Sequence, residues 1–263
     1  MTESINFNRA ATFYDATRKL PDDVAAEITR ALLAEIRASG ADKVLEIGIG
    51  TGRMARPLMR EGVQMVGVDI STEMMGQLIA QLSAEHTPPA LMLGDATALP
   101  FRDSAFGGAM IVHVLHLVRS VEETIAEIRR VLTPEGVLLH QTQRPDDETQ
   151  AVWDSHEEFW DRMCSRHNYR RRQRTTQATI RRAFAESGAS ARVVELSERV
   201  HESTVAEELR HVREHTHSWS WTIPDHILAD SMVEFEGWLR ERADADGSFA
   251  DRTRYVVEVW RWS

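Results

Sequence analysis

The sequence contains very little cysteine, since Cys164 is its single thiol. One cysteine cannot form an intramolecular disulfide, and metal sites built from several cysteines are excluded for the same reason. Long apolar runs are missing as well. The longest extends from Ala109 to Val118 and is interrupted by His113 and His116, so it is too short to span a bilayer.

Export signals and a surplus of positive charge are also lacking. The first four residues, Met1-Thr2-Glu3-Ser4, contain neither the basic nor the apolar segment of a signal peptide. The chain has 31 Lys and Arg against 41 Asp and Glu, a formal net charge of −10. This balance argues against nucleic acid or an anionic membrane as the main partner. We therefore expect a cytoplasmic protein.

The chain has 263 residues and is long enough to bury a substantial core. Through its first 142 residues, strand patterns alternate with helix patterns. A short helix over 5–18 precedes a longer one that begins at Asp22 or Asp23 and ends at Gly40. Strands are predicted at 43–47, 64–68, 90–93, 108–112 and 137–141, helices at 52–61, 72–85 and 121–132, and a turn at 133–136. The alternation indicates a parallel sheet with helices on both faces.

The pattern changes after residue 142. Residues 142–176 are polar; beyond them we predict helices at 179–187, 204–214 and 227–243 and strands at 192–200 and 255–262. The length fits one large α/β domain with an insertion, or two small domains.

The segment Val44–Arg53 is the most informative part of the chain. Its apolar residues suit a buried strand, and Gly48, Gly50 and Gly52 allow a tight turn that a ligand can approach closely. The helix that follows directs N–H groups and the positive end of its dipole at that ligand. A nucleotide-like ligand is therefore expected here.

The spacing of the glycines separates classes of nucleotide. A dinucleotide fingerprint, G-x-G-x-x-G, would need a third glycine where the chain has Arg53, and the phosphate-binding pattern G-x-x-x-x-G-K-[ST] is absent. The observed pattern is G-x-G-x-G, preceded by Glu46. Arg53 thus disfavours an NAD-dependent oxidoreductase. For this motif alone, a strand–turn–helix without a ligand stays an alternative.

Four segments in order resemble the class I S-adenosylmethionine (SAM)-dependent methyltransferases. They are the glycine motif, 66–71 with Asp69, 94–101 with Asp95, and 105–113 with His113. The family usually has Asp where Gly107 or Gly108 stands, and the similar turn at 131–136 has Glu135 in place of a glycine. The match covers about residues 40–142. Within the family, this part of the chain is similar to the small-molecule enzymes related to ubiquinone and menaquinone biosynthesis.

This resemblance implies SAM as cofactor, S-adenosylhomocysteine (SAH) as product and a small molecule as methyl acceptor. Asp69 would accept hydrogen bonds from the ribose hydroxyls, Asp95 would approach the adenine amino group, and His113 would contact the cofactor through its backbone. The implied cofactor-binding residues are Tyr14, Arg18, Glu46, Gly48, Gly50, Gly52, Asp69, Ile70, Met74, Asp95, Ala96 and His113.

The resemblance also implies an architecture: a doubly wound, Rossmann-like α/β fold whose seven-stranded sheet is mostly parallel, with an antiparallel carboxy-terminal edge and helices on both faces. Residues 1–142 would form the cofactor-binding core and an amino-terminal lid helix, in which Tyr14 covers the methionine part and Arg18 pairs with its carboxylate. Simple packing of that helix on the core, with a solvated Arg18, is the alternative. Within 143–263, residues 145–225 would cover the acceptor site and the rest would complete the sheet.

Candidates for catalysis and acceptor binding lie after the fourth strand and in the carboxy-terminal half. His116 is the candidate general base, since histidine titrates near neutral pH. The candidate acceptor-binding residues are His116, Trp153, His156 and Trp219, in a region where aromatic side chains can form an apolar pocket. The alternative for each of them is ordinary packing.

Two features favour other functions. The basic run 166–174, which contains Tyr169, is typical of RNA binding, although a solvated helix face suits the acidic remainder of the chain better. His211 and His215 have the spacing of metal ligands on a helix, but no third ligand is evident and no metal is expected.

A non-catalytic SAM-binding protein would show the same four motifs as an enzyme. The oligomeric state stays open.

Overall fold

The computed structural model describes residues 3–82, 89–173 and 175–262. The chain forms a core unit, made of 1–142, 175–197 and 255–263, and a second unit, made of 143–174 and 198–254. The predicted helix end at Glu85, Arg174 of the basic run, and Met1 and Thr2 lie outside the described residues.

Seven strands of the described chain form one sheet: β1 (Lys43–Ile47), β2 (Gln64–Asp69), β3 (Ala90–Leu93), β4 (Phe106–Val112), β5 (Leu132–Pro145), β6 (Ala189–Thr204) and β7 (Ser248–Trp262). Their order is β3-β2-β1-β4-β5-β7-β6. The pairs among β1 to β5 are parallel, and the carboxy-terminal strands are antiparallel. The predicted Rossmann-like, mostly parallel sheet is confirmed.

The helices are α1 (Tyr14–Thr17), α2 (Asp22–Ser39), α3 (Ala55–Arg60), α4 (Thr72–Gln81), α5 (Val121–Val131), α6 (Asp147–Arg166), α7 (Gln177–Glu186), α8 (Val205–Arg213) and α9 (Asp225–Arg240), with 3-10 turns at Asn8–Ala10 and Ser218–Thr222. Helix α2 shows how the sequence specifies them. Its buried residues include Val24, Ile28, Leu32 and Ile36, which recur every four positions, and Gly40 ends it with φ 68°.

Two hydrophobic clusters cover the two faces of the sheet. One joins α2 to strand residues such as Val44 and Met110, and the other joins α5 and α7 to Leu45 and Ile111. Because successive strand residues point to opposite faces, strands that are buried throughout lie between both layers of helices. Because β1 pairs in parallel with both β2 and β4, the carboxyl ends of these three strands meet at one edge of the sheet.

The amino-terminal helix is shorter than the predicted span of 5–18. Only the 3-10 turn and the single helical turn α1 form there. The Ile5 N–H donates to the Leu117 carbonyl at 2.9 Å, and Asn6 Nδ2 donates to the Ile70 carbonyl at 3.1 Å. These long-range bonds hold the segment in a non-helical course, so tertiary contacts override the local pattern.

Helix α6 lies in a segment that the sequence indicated only as polar. Asp146 caps it, since the Asp146 Oδ1 accepts a hydrogen bond from the Thr149 N–H at 2.8 Å. The large apolar residues that it buries are concentrated in its second half, at 159, 160 and 163. Because apolar residues recur over only half of the helix, the periodic pattern in the sequence is too weak to predict it.

The second unit has its own hydrophobic cluster, formed mainly by α6, α8 and α9. Charged residues of the predicted basic run are paired inside this unit. Arg171 is 4% exposed and donates to Asp161 Oδ1 at 2.6 Å. Arg166 donates to both carboxylate oxygens of Glu234, at 2.6 and 2.7 Å. These two arginines therefore contribute to the unit's own ion pairs.

A buried carboxyl group on β7 joins β5 and α7 within the core unit. Glu258 is 1% exposed. Its Oε1 accepts a hydrogen bond from Arg181 Nε at 3.0 Å, and its Oε2 lies 3.1 Å from His140 Nδ1. The partners are 77 and 118 residues away along the chain, so no local pattern predicted this cluster.

Candidate functional site

A cavity opens at the edge of the sheet where β1, β2 and β4 end. It contains about 840 Å³ of space, its open mouth included. Most of the predicted cofactor-binding residues line it: Tyr14, Glu46, Gly48, Gly50, Asp69, Ile70, Met74, Asp95, Ala96 and His113.

The turn after β1 brings the main chain directly to this cavity. Gly48 and Gly50 have φ of 73° and 54°, a region that other residues rarely adopt. The N–H groups of Gly48 and Ile49 both donate to the Val68 carbonyl, at 2.7 and 3.1 Å. A Cβ on Gly48 would lie 2.3 Å from the Val114 Cγ2. Glycine is therefore required here by both conformation and space.

Asp69 fixes the glycine turn to the start of α4. Its Oδ2 accepts a hydrogen bond from the Gly50 N–H, and its Oδ1 accepts one from the Ser71 N–H, both at 2.8 Å. Burial raises the pKa of Asp69, while the N–H groups of Ser71, Gly50 and Ile70 oppose this rise. A carboxylate has about four acceptor positions, so lone pairs are left for a ligand's hydroxyl groups.

Asp95 follows β3 and lies in the same wall. Its Oδ1 accepts hydrogen bonds from the Thr97 N–H and hydroxyl, at 2.9 and 2.8 Å. Burial acts to raise the pKa of Asp95, but the hydrogen bonds from Thr97 and Ser4 and the Arg119 guanidinium lower it below its ordinary value. Asp95 is therefore held as a carboxylate, ready to accept from an amino group.

Glu46 is the third acidic residue of the cavity and differs from the other two. It is 3% exposed, and its Oε2 has no hydrogen-bond partner among the described residues. Burial and, to a lesser extent, the Asp69 carboxylate raise the pKa of Glu46 while Arg53 lowers it, and the net result is a pKa of about 8. An uncompensated buried carboxyl group disfavours its charged form.

His113 follows β4 and has an unusual backbone. Its φ is 55°, which a residue with a Cβ rarely adopts and which is found mainly at functional sites. Burial, followed by the charges of Arg53 and His116, lowers the pKa of His113 to about 3. Its imidazole is therefore neutral at physiological pH.

The amino-terminal segment covers one side of the cavity. Ser4, Ile5, Phe7 and Tyr14 line it. The Tyr14 ring packs edge-on against Phe7 at 5.8 Å between centroids. Because the hydrogen bonds of Ile5 and Asn6 tie this segment to loops on opposite sides of the cavity, it lies across the opening as a cover.

Three predicted residues lie elsewhere. Arg18 is outside the cavity lining, and its carbonyl accepts a hydrogen bond from Arg53 Nη1; burial lowers the pKa of Arg18. Gly52 supports the turn with φ 71°. His116 lies three residues beyond His113 and is outside the lining as far as the described chain shows. The catalytic role of His116 stays a prediction.

The aromatic candidates belong to the second unit. The His156 ring packs edge-on against Trp219 at 4.8 Å and against Phe235 at 5.7 Å between centroids, and Trp160 Nε1 donates to His156 Nε2 at 3.1 Å. Trp153 Nε1 donates to an Asp251 carboxylate oxygen at 3.1 Å. The structure brings His156 and Trp219 together within an aromatic cluster, and their acceptor-binding role stays a prediction.

Two residues with a part in the site were not singled out from the sequence. Arg53 was noted only as the residue that replaces a third glycine, yet it lines the cavity and influences both Glu46 and His113. Asp15 accepts hydrogen bonds from the Thr51 hydroxyl at 2.6 Å and from Gln81 Nε2 at 2.9 Å. The sequence offers one indication that Asp15 belongs to the site, which is its position next to the predicted cofactor-binding residue Tyr14.

Replacement of Asp15 by alanine should loosen the amino-terminal cover. The Asp15 side chain is 36% exposed, so we expect the loss of its two hydrogen bonds to cost about 1–2 kcal/mol locally. Amide hydrogen exchange at Phe13 and Thr17 should then be about 5–30-fold faster than in the unmodified protein. Asp42→Ala, at an exposed position, is the control; equal exchange in both variants would contradict the anchoring role.

Membrane spans and metal clusters are both absent from the part of the chain that the structure describes. It contains no helix long and apolar enough to cross a membrane. Within the same residues, no group of three or more His, Cys, Asp and Glu side chains is arranged to hold a metal ion.

Comparisons with known proteins match part of the chain to a family. Residues 45–140 match the family model described as a methyltransferase domain. A demethylmenaquinone methyltransferase of Tropheryma whipplei (strain Twist) is 30% identical over 135 residues, which are 51% of this chain and 55% of that protein. The chain thus spans about half the length of the curated relatives that it matches.

Solved structures show the same fold at low sequence identity. The YcgJ protein from Bacillus subtilis is 15% identical with a TM-score of 0.60, covering 89% of this chain and 98% of that one. The magnesium protoporphyrin IX methyltransferase from Synechocystis PCC 6803, solved with bound SAH, is 18% identical with a TM-score of 0.53, covering 73% and 90%. Residues 45–140 thus match the methyltransferase family that the four motifs predicted, and the solved structures agree with the predicted fold.

The residues at the cavity fit this cofactor. Asp69 keeps acceptor positions for the two ribose hydroxyls, and Asp95 is held as a carboxylate near the same wall. Gly50 keeps the main chain bare at the cavity, since a Cβ there would crowd the Met74 Cε at 3.2 Å. The unpartnered Glu46 Oε2 suits a ligand that carries positive charge.

Proposed function

We propose that this protein is a class I SAM-dependent methyltransferase, with residues 45–140 as its methyltransferase domain. It transfers the methyl group of SAM to a small-molecule acceptor by in-line displacement. The observation that carries the proposal is the cavity at the carboxyl edge of the sheet. There the glycine turn, Asp69 and Asp95 meet at the ends of neighbouring strands, where open α/β sheets bind their ligands.

The roles of the protein in this reaction are binding, orientation and exclusion of water. SAM supplies a methyl group on a positively charged sulfur, which makes the thioether a good leaving group. Asp69 holds the ribose and Asp95 the adenine amino group, while the rigid turn at Gly48 fixes the direction of the ligand. Orientation of this kind contributes up to about 7–11 kcal/mol in the best cases.

The amino-terminal segment completes the site by keeping water away from the methyl group. Phe7 and Tyr14 place aromatic rings against the cavity, and low water content strengthens every electrostatic contact inside. His113 is neutral there and can orient an acceptor through a hydrogen bond. Where the acceptor must lose a proton, His116 is our candidate base, with an expected contribution of about 10²–10⁴-fold.

The acceptor is proposed to be a small molecule with a ring. The relative from Tropheryma whipplei is by its name a demethylmenaquinone methyltransferase, so a hydroxylated aromatic or quinol ring is the first acceptor class to test. The pairing of Arg166 and Arg171 with carboxylates of the second unit supports a small molecule over RNA, because both charges are partly neutralised.

The proposal is tested by measuring SAH formation. The purified protein is incubated with SAM and a panel of hydroxylated aromatic, quinol, amine and carboxylate acceptors, and SAH is quantified by mass spectrometry. Acceptor-dependent SAH formation that Asp69→Ala abolishes is the expected result. SAM binding without turnover on any acceptor would favour a non-catalytic SAM-binding protein, and absence of SAM binding would refute the proposal.

A further inference from the structure

Glu46 is a buried carboxyl group in the wall of a ligand cavity, and the protein leaves it poorly compensated. It lies on β1 between Leu45 and Ile47, both of which are fully buried. Its Oε2 has no hydrogen-bond partner among the described residues. In a charged carboxylate this oxygen would lose its hydration without gaining a donor, which is strongly unfavourable. In the free protein this group should therefore carry a proton.

The charged and titratable groups around Glu46 support this state. Asp69, at the end of β2, opposes a second negative charge, and Arg53, after the glycine turn, favours it. His113, at the end of β4, is neutral because burial lowers its pKa to about 3. Tyr14 and Asp95 are the other titratable residues lining the cavity. Burial and Asp69 together prevail over Arg53, and the pKa of Glu46 is about 8.

We propose that Glu46 is a proton-releasing counterion, protonated in the free protein and ionised when the positively charged end of the ligand enters the cavity. The O–H bond of the carboxyl group breaks, the proton passes to the solvent, and the carboxylate pairs with the ligand's cation without forming a covalent bond. This inference rests on the proposed function, because it takes SAM and SAH as the ligands.

The inference predicts that ligand binding depends on pH through one proton. Because one proton is released for each ligand bound, the dissociation constant should rise as the pH falls. Between pH 6.5 and 5.5, where free Glu46 is fully protonated and the ligand ammonium is intact, the increase should approach tenfold. Methylthioadenosine, which has the nucleoside and thioether but neither ammonium nor sulfonium, should show no such dependence.

The direct test is a proton count by titration calorimetry. Binding of SAH and of SAM at pH 6.5 is measured in two buffers with different heats of ionisation, which yields the number of protons released. We expect close to one proton for the unmodified protein and close to none for Glu46→Gln. Glu61→Gln is the matched control, since the Glu61 side chain is 53% exposed, and it should release the same number as the unmodified protein.

The outcomes separate this inference from the proposed function. Equal proton release by the unmodified protein and Glu46→Gln, or release of a proton on binding methylthioadenosine, would overturn it. So would SAH binding that is independent of pH, a measurement that needs no variant and therefore no assumption about folding. If the protein releases a proton on binding but shows no turnover, the inference about Glu46 holds and the proposed methyltransferase activity is contradicted. If it shows turnover but binds SAH without releasing a proton, the proposed activity holds and the inference is overturned.

Discussion

Replacing Asp69 with alanine is expected to weaken SAH binding by about 10²–10⁴-fold. Asp69 is positioned by the Gly50 and Ser71 N–H groups, so its carboxylate is held in place before the ligand arrives. Each hydrogen bond to a charged group is worth about 1.5–3 kcal/mol, and two ribose hydroxyls would lose such a partner. Titration calorimetry with SAH measures the effect directly.

The variant has a second effect that must be separated from the first. Without the carboxylate, the Gly50 and Ser71 N–H groups lose their acceptor, which loosens the glycine turn and costs stability. Thermal unfolding of both proteins without ligand therefore accompanies the binding measurement. Asp103→Ala is the control, because the Asp103 side chain is 78% exposed and lies outside the cavity lining. If Asp69→Ala binds SAH as tightly as this control, Asp69 does not hold the ribose.

Introducing a methyl group at Gly48 should destabilise the protein by about 2–5 kcal/mol. The positive φ of 73° costs a residue with a Cβ about 1–2 kcal/mol. The new Cβ would also lie 2.3 Å from Val114 Cγ2, and overpacking of this kind costs about 1–3 kcal/mol more. Urea unfolding of Gly48→Ala against the unmodified protein measures the sum.

Two glycines elsewhere separate these contributions. Gly62 has φ 85°, but a Cβ added there would meet nothing within 4 Å, so Gly62→Ala should show the conformational cost alone. Gly76, within α4, has open space and no positive φ, and Gly76→Ala should be neutral or stabilising by up to about 1 kcal/mol. A loss in Gly48→Ala no larger than in Gly62→Ala would show that Val114 moves aside freely. Adding Val114→Ala to Gly48→Ala should recover the difference.

The cofactor half of the site could be predicted because its determinants are local. A glycine turn directly after an apolar strand, and single acidic residues where the next two strands end, are patterns contained within a few residues each. Parallel strands bring their carboxyl ends to one edge of the sheet. The order of the motifs along the chain was therefore enough to place Gly48, Asp69 and Asp95 around one cavity.

The roles of Arg53 and Asp15 could not be predicted in the same way. The hydrogen bonds of Asp15 join it to Thr51 and Gln81, which are 36 and 66 residues away. Arg53 acts on Glu46 and His113 only because the turn folds back over the ends of β1 and β4. Such contacts depend on how the elements pack, and no periodic pattern along the chain records them.

The sequence by itself determined the alternating fold, the glycine turn and the resemblance to methyltransferases, because periodicity, conformational demand and motif order act over short stretches of chain. Only the tertiary structure decided the electrostatics of the site. Whether a carboxyl group is charged depends on which donors surround it and on how far water is excluded. Asp69 and Glu46 both line the cavity, yet one accepts two backbone N–H groups and the other leaves an oxygen unpartnered. That difference in packing underlies the two proposed roles, Asp69 as an anchor for the ribose and Glu46 as a group that responds to a ligand's charge.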